Sequence, residues 1–477
     1  MIVSVLLLFI IITGNIIAFM SCKDNTIDTG AENNIQKINN DTENINDADA
    51  DIIETPVNDL YSHGVMGKGV GINPGRVVWA HNPDSYSWNG NGYWWNINNF
   101  NYDIIQKMMD DSIKNLAGSE DIKEAWDLIF KYFNERHGKN DTGYAAGQKI
   151  VVKVNMNAMG SDIKGQTNGS FTAPIPVKAL LVSLVQSAGV VPSNITVMDP
   201  SRAIPDYMQE ICGTGILNGI KFLYNDGNAK NYPEMDMNFP IIWSENFEGE
   251  TSYLPKCLTE ADYFINFANL KGHDLAGVTL TAKNHFGTIM NSSKSNPPQA
   301  ANIHGFVTAH DYSFGEGWTW KQRPMNTYSV LVDFIANINI GGKTLLYLLD
   351  AFIVAPNQSV QLSGNMKWKQ PPFNDDWPSS LFVSQDPVAI DSVAVDFLMS
   401  EPTFQYYNEM KNGKMTHENY IHEAAQVNDA PSGTVYKNGA GEIVVNLGVH
   451  EHWNNSTDRQ YSRNLGKDEG VELIKVE

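Results

Sequence analysis

Short apolar runs alternate with amphipathic segments along the chain from residue 149 onward. Six of the runs have the length of strands, and they lie at 149–157, 195–200, 262–273, the start of 277–289, 343–354 and 379–387. Apolar residues recur at helical spacing in four other segments, at 176–189, 204–213, 327–339 and 388–399. Strands that alternate with helices predict a mostly parallel sheet with helices on both faces. The expected fold class is therefore α/β, with a core domain over 149–400.

The segments on either side of this core are predicted to be additions to it. Residues 61–148 start with a stretch rich in Gly and Pro and continue into two helices, which form an N-terminal helical addition. Their apolar stripes, which include Ile113 and Trp126, have the spacing of helices that pack on a core. Residues 401–477 are expected to form a C-terminal extension packed on the core.

The N-terminus has the pattern of a lipoprotein signal. Residues 1–21 carry no charged side chain, are mostly Ile, Leu, Val and Phe, and lead through Ser21 to Cys22. Such a run resembles a bacterial signal peptide that is cut before a cysteine, which then carries lipid. An uncleaved anchor is the alternative, since the run is about long enough to span a bilayer. Either way, we expect the body to lie outside the cytoplasm, attached to the membrane of the cell envelope.

Charge and cysteine content exclude two classes of function. The formal net charge is −21, and residues 22–60 hold ten acids against two lysines, which predicts a disordered acidic tether. A nucleic-acid partner is not expected, because such binding needs a basic surface. With Cys22 lipidated, only Cys212 and Cys257 remain, so a disulfide is possible but a four-thiolate iron–sulfur cluster is not.

Polar side chains follow the predicted strands at the point where each strand ends. The acids, amides, lysine and histidine concerned are Asn155, Asn157, Asp199, Asn266, Asn269, Lys283, Asn284, His285, Asp350 and Asp386. The carboxyl ends of parallel strands share one edge of a sheet, and ligands bind in the crevice outside that edge. The sequence therefore predicts a polar cleft. Carboxylates and amides there could hold a divalent cation, whereas Lys153 and Lys283 could hold an anion.

Three residues are the candidates for catalysis. Lys283 would bind an anion or act as a base, and His285 would transfer protons or bind a metal ion. Asp391 lies one turn inside a predicted helix, where no capping role is evident, so a role at the site is proposed for it. Asp199 and Asp386 are candidate ligand-binding residues, but each precedes a proline and could equally cap a turn or helix.

Histidines suggest two further features. His450 and His452 are two residues apart, so they would share one face of a strand and could bind a metal ion. A Gly-rich segment at 303–318, with His304 and His310, could form a lid over the cleft. Motifs of serine hydrolases, zinc proteases, redox dithiols and dinucleotide-binding enzymes are missing from the sequence.

Three segments, "IVVKVNMN", "FANLKGHDLAGVTLTAKNHFG" and "SQDPVAIDSVA", resemble the family called domain of unknown function 362 over roughly residues 148–400. The flanking segments look like a secreted, single-domain branch of that family without an iron–sulfur module. The resemblance implies that 271–287 and 386–391 matter, and with them Lys271 as a ligand-binding residue. It names no catalytic residue.

These observations favour a lipid-anchored protein that acts on a small polar or anionic ligand at the strand ends, with or without a divalent metal ion. Lys153, Asn155, Asn269 and Asn284 would contact that ligand. Two alternatives stay open. One is a surface protein that binds glycans without catalysis, for which the eleven tryptophans would supply stacking surfaces. The other is a purely structural protein.

Overall fold

The computed structural model describes residues 64–245, 251–273, 276–291, 310–311, 321–322, 325–402, 404 and 416–477. The predicted signal segment 1–21 and the whole of the predicted tether, 22–60, lie outside these described residues. Most of the predicted lid, 303–318, also lies outside them. The described residues belong to one compact unit.

The strands are numbered here in chain order. They are β1 (Met66–Gly67), β2 (Arg76–His81), β3 (Ile150–Val154), β4 (Ile195–Asp199), β5 (Lys221–Tyr224), β6 (Met235–Pro240), β7 (Ser252–Pro255), β8 (Tyr263–Asn269), β9 (Lys271–His273), β10 (Gly277–Thr279), β11 (Met290–Asn291), β12 (His310–Asp311), β13 (Lys321–Gln322), β14 (Thr344–Ala351), β15 (Ser380–Ser384), β16 (Val449–His450) and β17 (Glu472–Val476).

Eight of these strands form the main sheet, in the order β17-β2-β15-β14-β8-β3-β4-β5. Strands β14, β8, β3, β4 and β5 pair in parallel, as do β2 and β17. Only β15 runs against its two neighbours in this sheet. The prediction of a mostly parallel sheet is confirmed.

Helices cover both faces of the sheet, as predicted. They are α1 (Tyr102–Ala117), α2 (Ile122–Arg136), α3 (Pro174–Gln186), α4 (Asp206–Gly213), α5 (Lys256–Thr259), α6 (Thr281–Phe286), α7 (Val330–Ala336), α8 (Pro387–Met399) and α9 (Thr416–Ala425). One hydrophobic core includes residues of α1 to α4, and a second includes residues of α6 to α9. Strand β3 contributes Val151 to one core and Val152 to the other, which explains why its sequence is almost continuously apolar.

The order of the strands creates a switch point between β3 and β8. From β3 the chain passes through α3 to β4 on one side, whereas from β8 it continues to β14 on the other side. Loops that leave the carboxyl ends of β3 and β8 therefore diverge. A crevice opens at such a point in an open α/β sheet, and this is where ligands bind.

The structure corrects the prediction for 277–289. Strand β10 has only three residues and pairs with β9 in a separate two-stranded sheet, and the chain then turns into α6. Lys283, Asn284 and His285 therefore lie on a short helix and not at the end of a strand. The apparent alternation of polar and apolar residues was misleading because all six residues from 277 to 282 are buried.

The direction of β15 corrects the position of Asp386. Because β15 is antiparallel to β14 and β2, its last residue, Ser384, pairs with Val77 near the start of β2. Asp386 thus lies at the opposite edge of the sheet from Asn155 and Asp199. Four of the six predicted strands, β3, β4, β8 and β14, therefore bring polar residues to the expected edge, whereas the segments at 277–289 and 379–387 do not do so as strands.

Two other features concern the possible disulfide and the membrane. Cys212 and Cys257 are free thiols; Cys212 lies on α4 and is buried against α3 in one core, whereas Cys257 packs against the other core. Among the described residues, no helix combines the length and the apolar character that crossing a bilayer requires.

Candidate functional site

The carboxamide of Asn284 joins α6 to the carboxyl end of β3. Its oxygen accepts hydrogen bonds from Lys153 Nζ and Asn155 Nδ2, each at 3.3 Å. Its nitrogen donates to Asn266 Oδ1 at 2.7 Å. Three predicted ligand-binding residues therefore meet beside the switch point, although one of them arrives on a helix. Asn284 is 1% exposed, so its role in the free protein is to hold its neighbours in place.

Lys153 and Asp199 form a buried ion pair at this point. Lys153 Nζ lies 3.2 Å from Asp199 Oδ2 and donates to the carbonyl of Val154 at 2.6 Å. Burial lowers the pKa of Lys153. The Asp199 carboxylate also accepts the backbone N–H of Met156 at 2.8 Å and the hydroxyl of Ser201 at 2.7 Å. Asp199 thus orders the loops after β3 and β4 as well as neutralising a lysine.

Lys271 adds a second fully buried ammonium group. It is 0% exposed and donates to the carbonyl of Ser170 at 3.0 Å and to Asn155 Oδ1 at 3.4 Å. Burial, followed by the neighbouring cations, lowers the pKa of Lys271 to about 7. Asn269, at the end of β8, accepts the hydroxyl of Ser170 at 2.5 Å and so fixes the loop that Lys271 contacts.

Lys283 differs from the other two lysines because it is only partly buried. Its ammonium lies 4.0 Å from the ring centroid of Phe286 and makes no hydrogen bond to another described residue. Burial, followed by the positive charges of Arg202 and Lys153, lowers the pKa of Lys283 to about 7. Lys283 is therefore the lysine that can most readily reach a ligand.

Arg202 is the site residue that sequence reasoning missed. It follows β4 by three positions, in the segment "DPSR", and two of its nitrogens donate to backbone carbonyls. Its charge is among the causes that lower the pKa values of Lys153, Lys271 and Lys283. Its position just after a predicted parallel strand was the feature of the sequence that could have identified Arg202 as a site residue.

The charges at this edge are unbalanced. Three lysines and Arg202 influence one another, whereas Asp199 is the one carboxylate among the described residues that forms an ion pair with any of them. Neighbouring positive charges repel one another, and in a site with little water this repulsion destabilises the charged form of each group. An anion would relieve this repulsion, whereas a metal cation would increase it.

His285 lies deeper than the lysines. It is 0% exposed and packs near the rings of Phe264 and Tyr347 at centroid distances of 5.5 and 5.9 Å. The amide nitrogen of Asn266 donates to its Nε2 at 3.1 Å, so this nitrogen carries no proton. Burial, followed by the charge of Lys153, lowers the pKa of His285 to about 3. The ring is neutral and helps to position α6.

Asp391 and Asp386 both act as helix caps. Asp391 reaches from α8 to the start of α6, where it accepts the backbone N–H groups of Thr281 at 2.9 Å and Ala282 at 3.0 Å. It also accepts the hydroxyl of Tyr420 at 3.0 Å. Asp386 caps its own helix, α8, through two backbone N–H groups. Asp391 therefore supports the helix that carries Lys283 without lying in the cleft.

His450 and His452 lie away from the strand ends, on the face of the sheet covered by α8 and α9. The Nδ1 atom of His450 lies 2.7 Å from the hydroxyl of Ser392, and Nδ1 of His452 lies 2.6 Å from Asp396 Oδ1. Ser392 and Asp396 are one turn apart on α8, so a single helix face holds both rings. The predicted anion residues and the predicted metal residues thus form two separate groups.

Comparison with known proteins assigns a family but no activity. No curated protein matches the chain. The family described as Domain of unknown function (DUF362) matches residues 150–396, which is more than half of the chain and includes every cleft residue from Lys153 to Lys283. The chain therefore belongs to the DUF362 family.

Proposed function

We propose that the protein binds a small anionic ligand, with a carboxylate or phosphate group, at the carboxyl ends of β3 and β8. The observation that carries the proposal is the convergence of Lys153, Lys271, Lys283 and Arg202 beside a switch point, with Asp199 as their one ion-pair partner among the described residues. Burying this many like charges is costly unless a counter-charge is supplied.

The ligand would contact Lys283 first. The Lys283 side chain is only partly buried, and its ammonium makes no hydrogen bond to the described part of the chain, so it can donate to an anion. Gly287 leaves the approach to Lys153 free of a side chain, since a β-carbon there would lie only 3.2 Å from both Lys153 Nζ and Ser201 Oγ. Asn284 would hold Lys153 beside Gly287, and His285 and Asp391 would hold α6 in position.

The site also supports proton transfer. A lysine with a pKa of about 7 exchanges its proton readily near neutral pH, which is the property of an efficient general base or acid. Lys283 is therefore the residue proposed for acid–base chemistry on the bound ligand, and Lys271 would stabilise negative charge that develops there.

The N-terminal sequence supports a location outside the cytoplasm. The uncharged segment 1–21, followed by Cys22, suits a lipoprotein whose lipid on Cys22 tethers the chain to the membrane. The acidic segment that follows would keep the body away from the membrane surface. In this proposal the ligand is a small molecule of the cell envelope or the surroundings.

A stack of aromatic rings favours glycan binding as a second candidate. Tyr93 packs on Trp95 and Trp95 on Tyr207, with centroid distances of 4.8 and 3.9 Å, and Tyr93 is 38% exposed. Exposed aromatic faces suit sugar rings. Seven of the nine tryptophans in the described part of the chain are buried, however, so few of them can serve this purpose.

The test is titration of the full-length protein with sulfate, phosphate and succinate, followed by thermal unfolding and calorimetry. We expect at least one of these anions to raise the unfolding temperature of the wild type. Lys283→Met should weaken its binding about 10–100-fold, since a hydrogen bond to a charged group contributes about 1.5–3 kcal/mol. Lys164→Met, which removes a lysine whose side chain is 70% exposed, should change nothing.

Two outcomes would contradict the proposal. One is that none of the three anions stabilises the wild type. The other is that Lys283→Met and Lys164→Met have equal effects, which would indicate binding to general surface charge. Binding of soluble oligosaccharides that is lost in Tyr93→Ala, but kept in Lys283→Met, would favour the glycan alternative.

A further inference from the structure

One carboxylate oxygen lies next to three imidazole nitrogens on the α8–α9 face of the sheet. Oε2 of Glu418 is 3.4 Å from Nε2 of His422, 3.3 Å from Nε2 of His450 and 3.5 Å from Nε2 of His452. Ligand atoms of Glu418, His422 and His450 all lie within 4.8 Å of one another. Glu418 and His422 are one turn apart on α9, and the other two histidines come from β16 and the residues after it.

The distances distinguish this cluster from ordinary hydrogen bonds. A charged imidazole that donates to a carboxylate does so at about 2.7–2.9 Å. The ring of His452 makes such a contact through Nδ1, at 2.6 Å from Asp396, whereas its Nε2 stays 3.5 Å from Glu418. In a tetrahedral site with bonds of about 2.0–2.2 Å, two ligand atoms are about 3.3–3.6 Å apart. All three contacts of Glu418 Oε2 fall within that range.

The surroundings orient two of the rings for metal binding. The hydroxyl of Ser392 donates to the carbonyl of Glu451 at 2.8 Å, so it must accept the Nδ1 proton of His450. Asp396 accepts the Nδ1 proton of His452 in the same way. In His450 the Nε2 lone pair then points toward Glu418, and in His452 the Nε2 atom faces the same carboxylate. A histidine that binds a metal ion through one ring nitrogen usually donates the N–H of its other ring nitrogen to an acceptor, which fixes the tautomer.

The carboxylate itself is buried among imidazole rings at distances longer than those of good hydrogen bonds. Glu418 is 0% exposed, and neither of its oxygens accepts a hydrogen bond with acceptable geometry from the described residues. His417, whose Nε2 lies 3.6 Å from Glu418 Oε1, is also fully buried, and neither of its nitrogens is hydrogen-bonded to the described chain. Leaving a buried carboxylate without donors is costly, and a bound cation would remove that cost.

We propose that Glu418, His422 and His450, with His452 as the fourth ligand, bind a divalent transition-metal ion of the Zn²⁺ class. Three imidazoles with one carboxylate suit zinc and its neighbours, whereas magnesium and calcium prefer sets of oxygen ligands. The side chains of His422 and His452 are 14% and 15% exposed, which provides a path for the ion to enter.

Four protein ligands make the site a structural one, because no coordination position is left for a substrate. The ion would link β16 to α9 directly through its ligands, and to α8 through the hydrogen bond between His450 and Ser392. Since α9 also carries Tyr420, which hydrogen-bonds to Asp391, the metal would stabilise the helices behind the anion cleft. This proposal stands independently of the proposed function, because none of the metal ligands is a cleft residue.

The experiment measures bound metal in the full-length protein by mass spectrometry, after removal of metal with a chelator and dialysis against Zn²⁺. We expect about one equivalent in the wild type. Glu418→Gln and His422→Gln should lose most of it. His81→Gln removes a different buried histidine, one bound to the carbonyl of Pro378, and should keep the full equivalent. Lys283→Met should keep it as well.

A second measurement uses only the wild type, so it does not depend on whether the variants fold. Chelator should lower the unfolding temperature of the wild type, and added Zn²⁺ should restore it, because an ion bound to the folded state stabilises that state. Co²⁺ in place of Zn²⁺ should give the strong visible absorption of a four-coordinate site. The proposal is overturned if wild type binds no Zn²⁺, or if it binds the same amount as Glu418→Gln in folded protein.

Discussion

Replacing Lys271 by methionine should remove an increase in the stability of the protein between pH 7 and pH 10.5 that this lysine causes. The ammonium is fully buried, and burial together with nearby cations lowers its pKa from 10.5 to about 7. In the unfolded chain the same group keeps a pKa near 10.5, so between pH 7 and 10.5 the unfolded state binds more protons. The stability of the wild type should therefore rise with pH across this window.

The size of the effect follows from that difference in pKa. Each pKa unit corresponds to about 1.4 kcal/mol, so the buried charge costs at most about 5 kcal/mol near pH 7. Local relaxation reduces this, and we expect about 2–4 kcal/mol. Lys271→Met removes the cost but leaves the carbonyl of Ser170 without its donor, a loss of about 1–3 kcal/mol that does not vary with pH.

The assay is urea unfolding of wild type and Lys271→Met at pH 7 and pH 10. The quantity compared is the free energy of unfolding of the variant minus that of wild type. This difference should be about 2–4 kcal/mol larger at pH 7 than at pH 10. Lys164→Met should differ from wild type by less than about 0.5 kcal/mol at both values, since its side chain is 70% exposed. If the free energy of unfolding of Lys271→Met differs from that of wild type by the same amount at both pH values, the claim that the ammonium is buried and repelled by neighbouring cations is refuted.

Two further substitutions test the surroundings of the cleft. Asp391→Ala removes the acceptor of two backbone N–H groups and of Tyr420, so urea unfolding should show a loss of about 2–4 kcal/mol, against about 1 kcal/mol for Tyr420→Phe. Equal losses would argue against the capping of α6 by Asp391. Gly287→Ala places a β-carbon 3.2 Å from Lys153 Nζ and Ser201 Oγ, so it should weaken sulfate binding about tenfold or more while the unfolding temperature of the free protein stays within a few degrees. Unchanged sulfate affinity would show that the ligand does not approach Lys153 past Gly287.

The sheet and its polar edge were predictable because they depend on local pattern. Short apolar runs separated by helical periodicity are enough to indicate parallel strands, and the polar residues after β3 and β4 then fall at one edge. Asn155 and Asp199 lie where this reasoning placed them. The prediction needed no knowledge of which strands are neighbours.

The rest depended on contacts between distant parts of the chain. Asp391 caps a helix that begins 110 residues earlier, so nothing near it in sequence signals that role. Whether β15 runs up or down the sheet decides the edge on which Asp386 lies, and a strand's sequence does not state its direction. Glu418 joins His450 only because α9 packs beside β16, although the spacing of Glu418 and His422 on one helix was visible.

The central claim is that three lysines and Arg202 form a site for an anion, and proton uptake tests it most directly. Because Lys271 and Lys283 have pKa values of about 7, a bound anion should raise both and draw protons from solution. Sulfate has no proton to exchange near neutral pH, so calorimetric titration at pH 7.5 in two buffers of different ionisation enthalpy isolates this effect. We expect uptake of about one proton per sulfate, and clearly less with Lys283→Met. Sulfate that fails to bind, or that binds with the same heat in both buffers, would contradict the account.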